Sequence, residues 1–319
     1  LKYFGAGLSD LEKNLAKMQI EGLLDTLIDA KEYGSILEVE DYNWELLRRF
    51  VTDLDVAGQI SMDSFGIEDT VEQLLQLIDI GETMAQKYWV TVTNPPYAGT
   101  SNLSARVNNF VKKYYPDSKS DLFAVFIERC HAMTKKNGFQ AMITQQAWMF
   151  LSSFEKLREK MMLTDTINMA HLGARAFEEI GGEVVQTTTF VRRYNHIQKY
   201  KATYYRLIEP TSQQGKEDMF LTGGNRYAVE QKNFVKIPGK PVAYWVTSRF
   251  VEMFSNNTVE EYAHKVCKGG FTGNNDKYLR LWFEIASDTI SKKWNKYSKG
   301  GSFRKWYGNS LHVIDWADN

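Results

Sequence analysis

Apolar positions recur at helical spacing through the first third of the chain. Leu11, Leu15, Met18, Leu23, Leu24, Leu27 and Ile28 predict a helix over 8–33, opened by a Ser9/Glu12 capping box and broken at Gly34. Trp44, Leu47 and Val51 predict a second helix over 43–54. Val71, Leu74, Leu75, Leu77, Ile78 and Met84 predict a third over 67–88, after a loop at 58–66. The period then changes. Val90, Thr91, Val92 and Thr93 are all β-branched, which suits a buried, covered strand. Pro95 cannot donate to a strand ladder, so pairing ends there. After a polar loop at 98–102 the pattern predicts a helix over 121–134, with Gly138 closing its cap region. Strands follow at 139–144, 166–172, 184–191 and 202–207, with a short helix at 153–163.

Strands alternating with helices point to an α/β fold built on a parallel, doubly wound sheet. The late strands lack intervening helices, which points to an antiparallel edge. Turn-rich stretches at 209–216 and 237–241 mark a connector. The expected organisation is a helical segment at 1–89, a core at 90–209, a connector at 210–240 and an α+β region from 241 to 319.

Composition adds limits. The chain has 319 residues, 43% of them hydrophobic and 24% charged, ordinary for a soluble globular protein of up to two domains. No apolar run is long enough for a membrane-spanning helix. The start, Leu1-Lys2-Tyr3, carries neither an initiator Met nor a signal peptide, and is read as the beginning of an internal fragment. Cys130 and Cys267 form no CxxC pair, so they read as plain thiols of a reducing cytoplasm. His131, His171, His196, His264 and His312 share no metal-ligand spacing, and no metal is implied. Glu178-Glu179 and Glu260-Glu261 read as solvated faces. Net charge is zero but uneven: −11 over residues 1–90, +6 over 91–235 and +5 over 236–319. The later two-thirds suit a polyanionic partner and the first third does not.

The candidate chemistry sits where the first strand stops. Asn94-Pro95-Pro96-Tyr97 fixes a carboxamide, two carbonyls and an aromatic ring at a strand end, the edge where α/β sheets bind ligands. Such a turn fits methylation of an exocyclic amine, a poor nucleophile whose lone pair is delocalised into its ring. The Asn94 side-chain oxygen and the Pro95 carbonyl can accept from the amine hydrogens and favour a tetrahedral nitrogen. Tyr97 offers a flat face for a base swung out of a duplex. The plainer reading is a strand-terminating turn with a packed Tyr; the full tetrapeptide directly after a β-branched strand favours chemistry.

Thr93-Asn94-Pro95-Pro96-Tyr97 resembles the catalytic motif of amino-methylating DNA methyltransferases. Asp121-Leu122-Phe123 resembles that family's next cofactor- or base-pocket motif, Gly138 to Trp148 its following strand, and Val184 to Phe190 a late strand with a second base-contacting aromatic, Phe190. Gly269 to Arg280 and Trp306-Tyr307-Gly308-Asn309 look like the adenine-specific methyltransferases of BREX phage-defence systems. The resemblance implies a Rossmann-like methyltransferase sheet, S-adenosylmethionine as cofactor, double-stranded DNA as substrate and other phage-defence proteins as possible partners. It places Asn94, Pro95, Pro96 and Tyr97 in catalysis, Tyr97 and Phe190 against the base, and Asn94 and Asp121 near the cofactor. One departure stands out: no Gly-rich cofactor turn precedes Asn94, and Gly5-Ala6-Gly7 follows no strand. The sheet is therefore expected to be incomplete on its N-terminal side, and this chain alone inactive.

The resemblance makes 241–319 the start of a target-recognition domain, with Asn274, Asn275, Lys277, Arg280, Lys292, Lys293, Arg304 and Lys305 as DNA contacts. Residues 292–307 interleave cations with Trp294, Tyr297, Phe303, Trp306 and Tyr307. That pattern suits phosphate contacts with stacking, or equally a solvated loop with its rings packed inward. Two other functions remain open from sequence: a non-catalytic DNA-binding or assembly module with a methyltransferase shell, and methylation of RNA or of protein glutamine.

Overall fold

The computed structural model describes residues 1, 3–54, 66–177, 185–263 and 272–315. The chain forms two compact units, Leu1–Asn256 and Asn257–Asn319.

The first unit opens with the helices expected from the apolar spacing: Asp10–Leu27, Trp44–Thr52 and Ile67–Ala85. The capping box forms: Glu12 N–H donates to Ser9 Oγ at 3.4 Å and Ser9 N–H to Glu12 Oε2 at 3.1 Å. Their apolar faces close on Leu23, Leu47, Phe50, Val51 and Ile78. Gly81 permits a close approach, since a Cβ there would lie 2.7 Å from Leu23 Cδ1. The loop expected at 58–66 lies outside the described residues except for Gly66.

Six strands follow: β1 (Tyr88–Thr93), β2 (Thr134–Gln145), β3 (Asp165–Gly173), β4 (Thr187–Arg193), β5 (Lys201–Arg206) and β6 (Arg226–Glu230). They form one sheet in the order β1-β2-β4-β3-β5-β6. β1 runs parallel to β2 and β3 parallel to β5, while β4 is antiparallel to both of its neighbours and β6 is antiparallel to β5. The fold is α/β, but the expected parallel sheet with an antiparallel edge needs correcting. β4 lies in the interior. No helix separates β3 from β4 among the described residues, so β4 returns antiparallel. The crossover from β2 to β3 through the helix Glu155–Met161 leaves the slot it fills.

Other expectations shift too. Gly138 caps no helix. It lies within β2, where a Cβ would meet Trp89 O at 2.7 Å, and the pairing with β1 is irregular between Tyr88 and Val90. A helix at Ala105–Tyr114 went unpredicted; it is N-capped by Ser104 and buries only Val111. Residues 210–240 hold a helix (Gln213–Leu221) and β6, while the division between compact units falls at 256/257. β1 is not covered: Trp89 is 62% and Val92 73% exposed, and β2 is its only strand partner among the described residues.

The helical segment is fastened to the sheet by Arg129, on the helix Leu122–Met133. Its buried guanidinium donates to Ser35 O and Met84 O, both at 3.0 Å. Tyr115 adds a 2.6 Å bond from its hydroxyl to Ile36 O.

Candidate active site

β1 pairs with β2 as far as Thr93↔Met142 and no further, as the loss of the Pro95 N–H requires. The turn that follows leaves Asn94 and Pro96 exposed, buries Pro95 and half-buries Tyr97. The Tyr97 ring meets Phe123 edge-on at 6.2 Å. Its hydroxyl is buried without a hydrogen-bond partner among the described residues, and burial pushes its pKa up to about 12. Tyr97 therefore stays a neutral ring held by one edge.

Asp121 sets the position of the turn. It N-caps the helix Leu122–Met133, its Oδ1 accepting from Phe123 N at 3.3 Å and from Ala98 N at 3.0 Å. Leu122 N–H answers by donating to Ala98 O at 3.0 Å. Ala98, next to Tyr97, is thus clamped through both its amide and its carbonyl. Burial raises the Asp121 pKa, partly offset by the backbone amides of Phe123, Ala98 and Leu122. The carboxylate expected near a cofactor is in place as a tether.

Phe190 lies on β4 opposite Met142, the β2 partner of Thr93. It is 1% exposed, packs edge-on against Trp148 at 5.5 Å, and lies between Met142 on β2 and Met169 on β3. Its ring has no free face for a base. β4 alternates buried and half-buried residues, and Phe190 falls on the buried face, which a β-branched run with one aromatic does not reveal. Phe150, Phe177 and Trp245 are only partly buried. Phe150 lies edge-on to Trp245 at 5.8 Å and near His171, at the end of β3.

The same carboxyl edge carries a polar chain that sequence reasoning missed. His171 Nε2 donates to Gln146 Oε1 at 2.5 Å, and Nδ1 accepts from the Tyr244 hydroxyl at 3.0 Å. Gln146 Nε2 donates onward to Gln186 Oε1. Both imidazole nitrogens are used by a neutral ring, and burial holds the pKa down to about 4, with Arg206 adding to the effect. These residues come from four separate segments, so no local spacing could reveal them.

The Gly5–Gly7 amides are already engaged. The amides of Gly5 and Ala6 donate to Asp53 O, and that of Gly7 to Asp53 Oδ2. Among the described residues, no three His, Cys, Asp or Glu side chains are placed to hold a metal. No described helix is long and apolar enough to cross a membrane. Cys130 is buried and its thiol pKa pushed up to about 11. Cys267, His264 and Glu178-Glu179 lie outside the described residues, as does the Glu260 side chain.

In the second unit the expected DNA contacts are exposed but several are engaged internally. Asn274 N-caps a short turn through Lys277 N, and Asn275 accepts from Thr272. Arg280 Nη1 donates to Asp276 O and Leu279 O, and Lys293 pairs with Asp315 at 3.3 Å. Lys292, Arg304 and Lys305 are exposed. Gly269, Gly270 and Phe271 lie outside the described residues.

The family model for the Eco57I restriction-modification methylases matches residues 4–174, a span that includes the clamped turn. The chain belongs to this methylase family. Two curated relatives extend the likeness across 91% of the chain: the adenine-specific methyltransferase PglX of Lacticaseibacillus casei (strain Zhang), 43% identical, and the adenine-specific methyltransferase BrxX of Escherichia coli O9:H4 (strain HS), 36% identical. The matches cover 26% and 24% of those proteins, so the chain spans about a quarter of their length. A nuclease-deletion mutant of the Type ISP restriction-modification enzyme LlaGI, solved with a DNA substrate mimic, matches 75% of this chain and 31% of its own, at 9% identity and a TM-score of 0.39.

Proposed function

We propose that this methylase chain supplies the amine-holding part of an S-adenosylmethionine-dependent DNA adenine-N6 methyltransferase of a phage-defence system. The clamped turn carries the reading: an exposed Asn94, a buried Pro95 and a half-buried Tyr97, fixed to a helix through Ala98 and Asp121. Asn94 Oδ1 and the Pro95 carbonyl accept from the N6 hydrogens of a flipped adenine, and Tyr97 lies against its ring. The two acceptors would stabilise positive charge on N6 once it is alkylated. The proton then leaves for solvent, for which the exposed Asn94 gives a route.

The methyl donor supplies an electrophilic carbon. The residues here do not fit a pocket for it: Asp121 is committed to two amides and the Gly5–Gly7 amides to Asp53. The edge of β1 that is unpaired among the described residues is suited to pairing with further strands that complete the sheet. In the second unit, the cation-rich stretch ending at Lys305 is the DNA-facing part.

The test is Asn94→Ala in the full-length protein, read by long-read sequencing of host DNA for N6-methyladenine. Loss of site-specific modification with retained expression is the expected result. Methylation that survives the change would leave the turn a structural feature.

A further inference from the structure

The second unit contains β7 (Leu279–Leu281), β8 (Trp294–Tyr297) and β9 (His312–Asp315), in the order β7-β9-β8. β8 and β9 pair antiparallel from Trp294↔Asp315 to Tyr297↔His312, and residues 298–311 form the loop between them. From 291 to 311 the chain has Lys292, Lys293, Lys296, Lys299, Arg304 and Lys305 and no Asp or Glu.

The loop is closed on itself. Asn309, at φ 56, donates Nδ2 to Ser302 O at 3.3 Å, and its side chain fills the space where a Cβ on Gly301 would come within 2.8 Å. Gly308, at φ 151, lets the Arg304 stem lie against it; a Cβ there would sit 2.5 Å from Arg304 Cγ. Held this way, the loop turns its rings outward. Phe303, Trp306 and Tyr307 are 89%, 88% and 86% exposed, the most exposed aromatics among the described residues. Lys305 Nζ stands 5.7 Å from the Trp306 ring centroid. Within five residues the fold displays three rings and two cations.

We propose that this loop enters the base stack of a DNA duplex. Phe303, Trp306 and Tyr307 stack on bases at one opened step, while Arg304 and Lys305 hold the flanking phosphates. The proposal rests on the DNA-methyltransferase reading and says which part of the second unit touches bases. Charge favours nucleic acid: the stretch that carries the rings has six cations and no acid, which suits a polyanion. Their exposure favours stacking over groove-edge readout, because a ring that meets only water forgoes its burial until something covers both faces. An apolar wedge that unstacks a step is a general means of opening a duplex.

The test uses the full-length protein and a fluorescein-labelled mixed-sequence duplex, either fully paired or with one mismatch, followed by anisotropy across salt concentrations. Unstacking a mismatch costs less, so the unaltered protein should bind the mismatched duplex several-fold more tightly. F303A/W306A/Y307A should weaken binding on the order of tenfold or more, lose the mismatch preference and keep the salt slope. R304A/K305A should lower the salt slope by about two and keep the preference. Both variants should melt at the temperature of the parent. A triple variant that binds both duplexes like the parent overturns the wedge while leaving DNA binding intact. One that melts several degrees lower shows the rings packed on protein, which also overturns it. If the unaltered protein binds no duplex at low salt, the DNA reading fails and the wedge with it.

Discussion

Asp121 gives the sharpest test of how the catalytic turn is held. One oxygen, Oδ1, accepts from both Ala98 N and Phe123 N. Asp121→Ala removes an N-cap, worth about 0.5–2 kcal/mol, and strands the Ala98 amide, worth about 1–3 kcal/mol. The combined loss should be about 2–4 kcal/mol, lowering the melting temperature by roughly 5–15 °C for a unit of this size. Asp121→Asn behaves differently. An amide oxygen can take both bonds, and the half-buried negative charge is gone. Burial raises the folded-state pKa of Asp121 above its ordinary 3.8, so the folded protein binds that proton more tightly than the unfolded chain. Stability from this group is thus greatest at low pH and declines as pH rises through that interval. The Asn variant should therefore cost less than about 1 kcal/mol at neutral pH. Urea unfolding of both variants decides it, with methylation measured in parallel. Equal losses for Asn and Ala would refute the reasoning, since the charge rather than the acceptor would then hold the turn.

Other variants probe the surrounding structure. Tyr97→Phe should leave methylation intact and stability unchanged or up to about 1 kcal/mol higher in denaturant titration, because the lost hydroxyl is buried and unpartnered. Gly138→Ala should cost about 1–3 kcal/mol by pressing a methyl onto Trp89 O and Lys135 O between β1 and β2. Arg129→Met should lose about 2–5 kcal/mol by urea unfolding, since Ser35 O and Met84 O lose their donor and the helical segment loses its tie to the sheet. His171 is held neutral with a pKa near 4 against an ordinary 6.5, so its contribution is complete above 6.5 and is lost as pH falls toward 4, about 3 kcal/mol in all. His131 is lowered to the same range, chiefly by burial. His171→Gln should therefore remove about half of the melting-temperature slope across that window, and an unchanged profile would show that the ring is not neutral in the fold.

What was legible in the sequence is what depends on near neighbours. The Ser9/Glu12 box, the three amphipathic helices and the end of β1 at Pro95 all rest on contacts within a few residues. The helix Ala105–Tyr114 escaped because it buries a single residue, too few for a periodic signal. The slot taken by β4 escaped for a different reason. Its direction follows from the short return after β3, but its place follows from a gap left by an earlier crossover. Asp121 was visible as a helix start, whereas its bond to Ala98 spans 23 positions. Phe190 looked like a site residue because an alternating strand does not declare which of its neighbours covers it. The 303–307 rings could as well have packed inward; only the closure of their loop by Asn309 and Gly308 turns them out.

The turn after β1 is supported through one strand edge and one helix. One edge of the strand pairs with β2, and Thr91 adds a 3.0 Å hydroxyl contact to Thr134. Beyond the strand, Ala98 is locked to Asp121 and Leu122, and Phe123 backs Tyr97. All of this fixes the turn from one direction. On the two faces of β1, Trp89, Val90 and Val92 stay exposed, with Lys135 of β2 over the Trp89 ring at 5.3 Å. In the proposed reaction two acceptors hold the amine hydrogens, so the nitrogen lone pair must emerge away from them, and the methyl carbon must arrive along that line. A turn braced on every side would leave no such approach. Bracing from within the sheet, with the other edge of β1 unpaired among the described residues, gives rigidity to the acceptors while keeping that line clear.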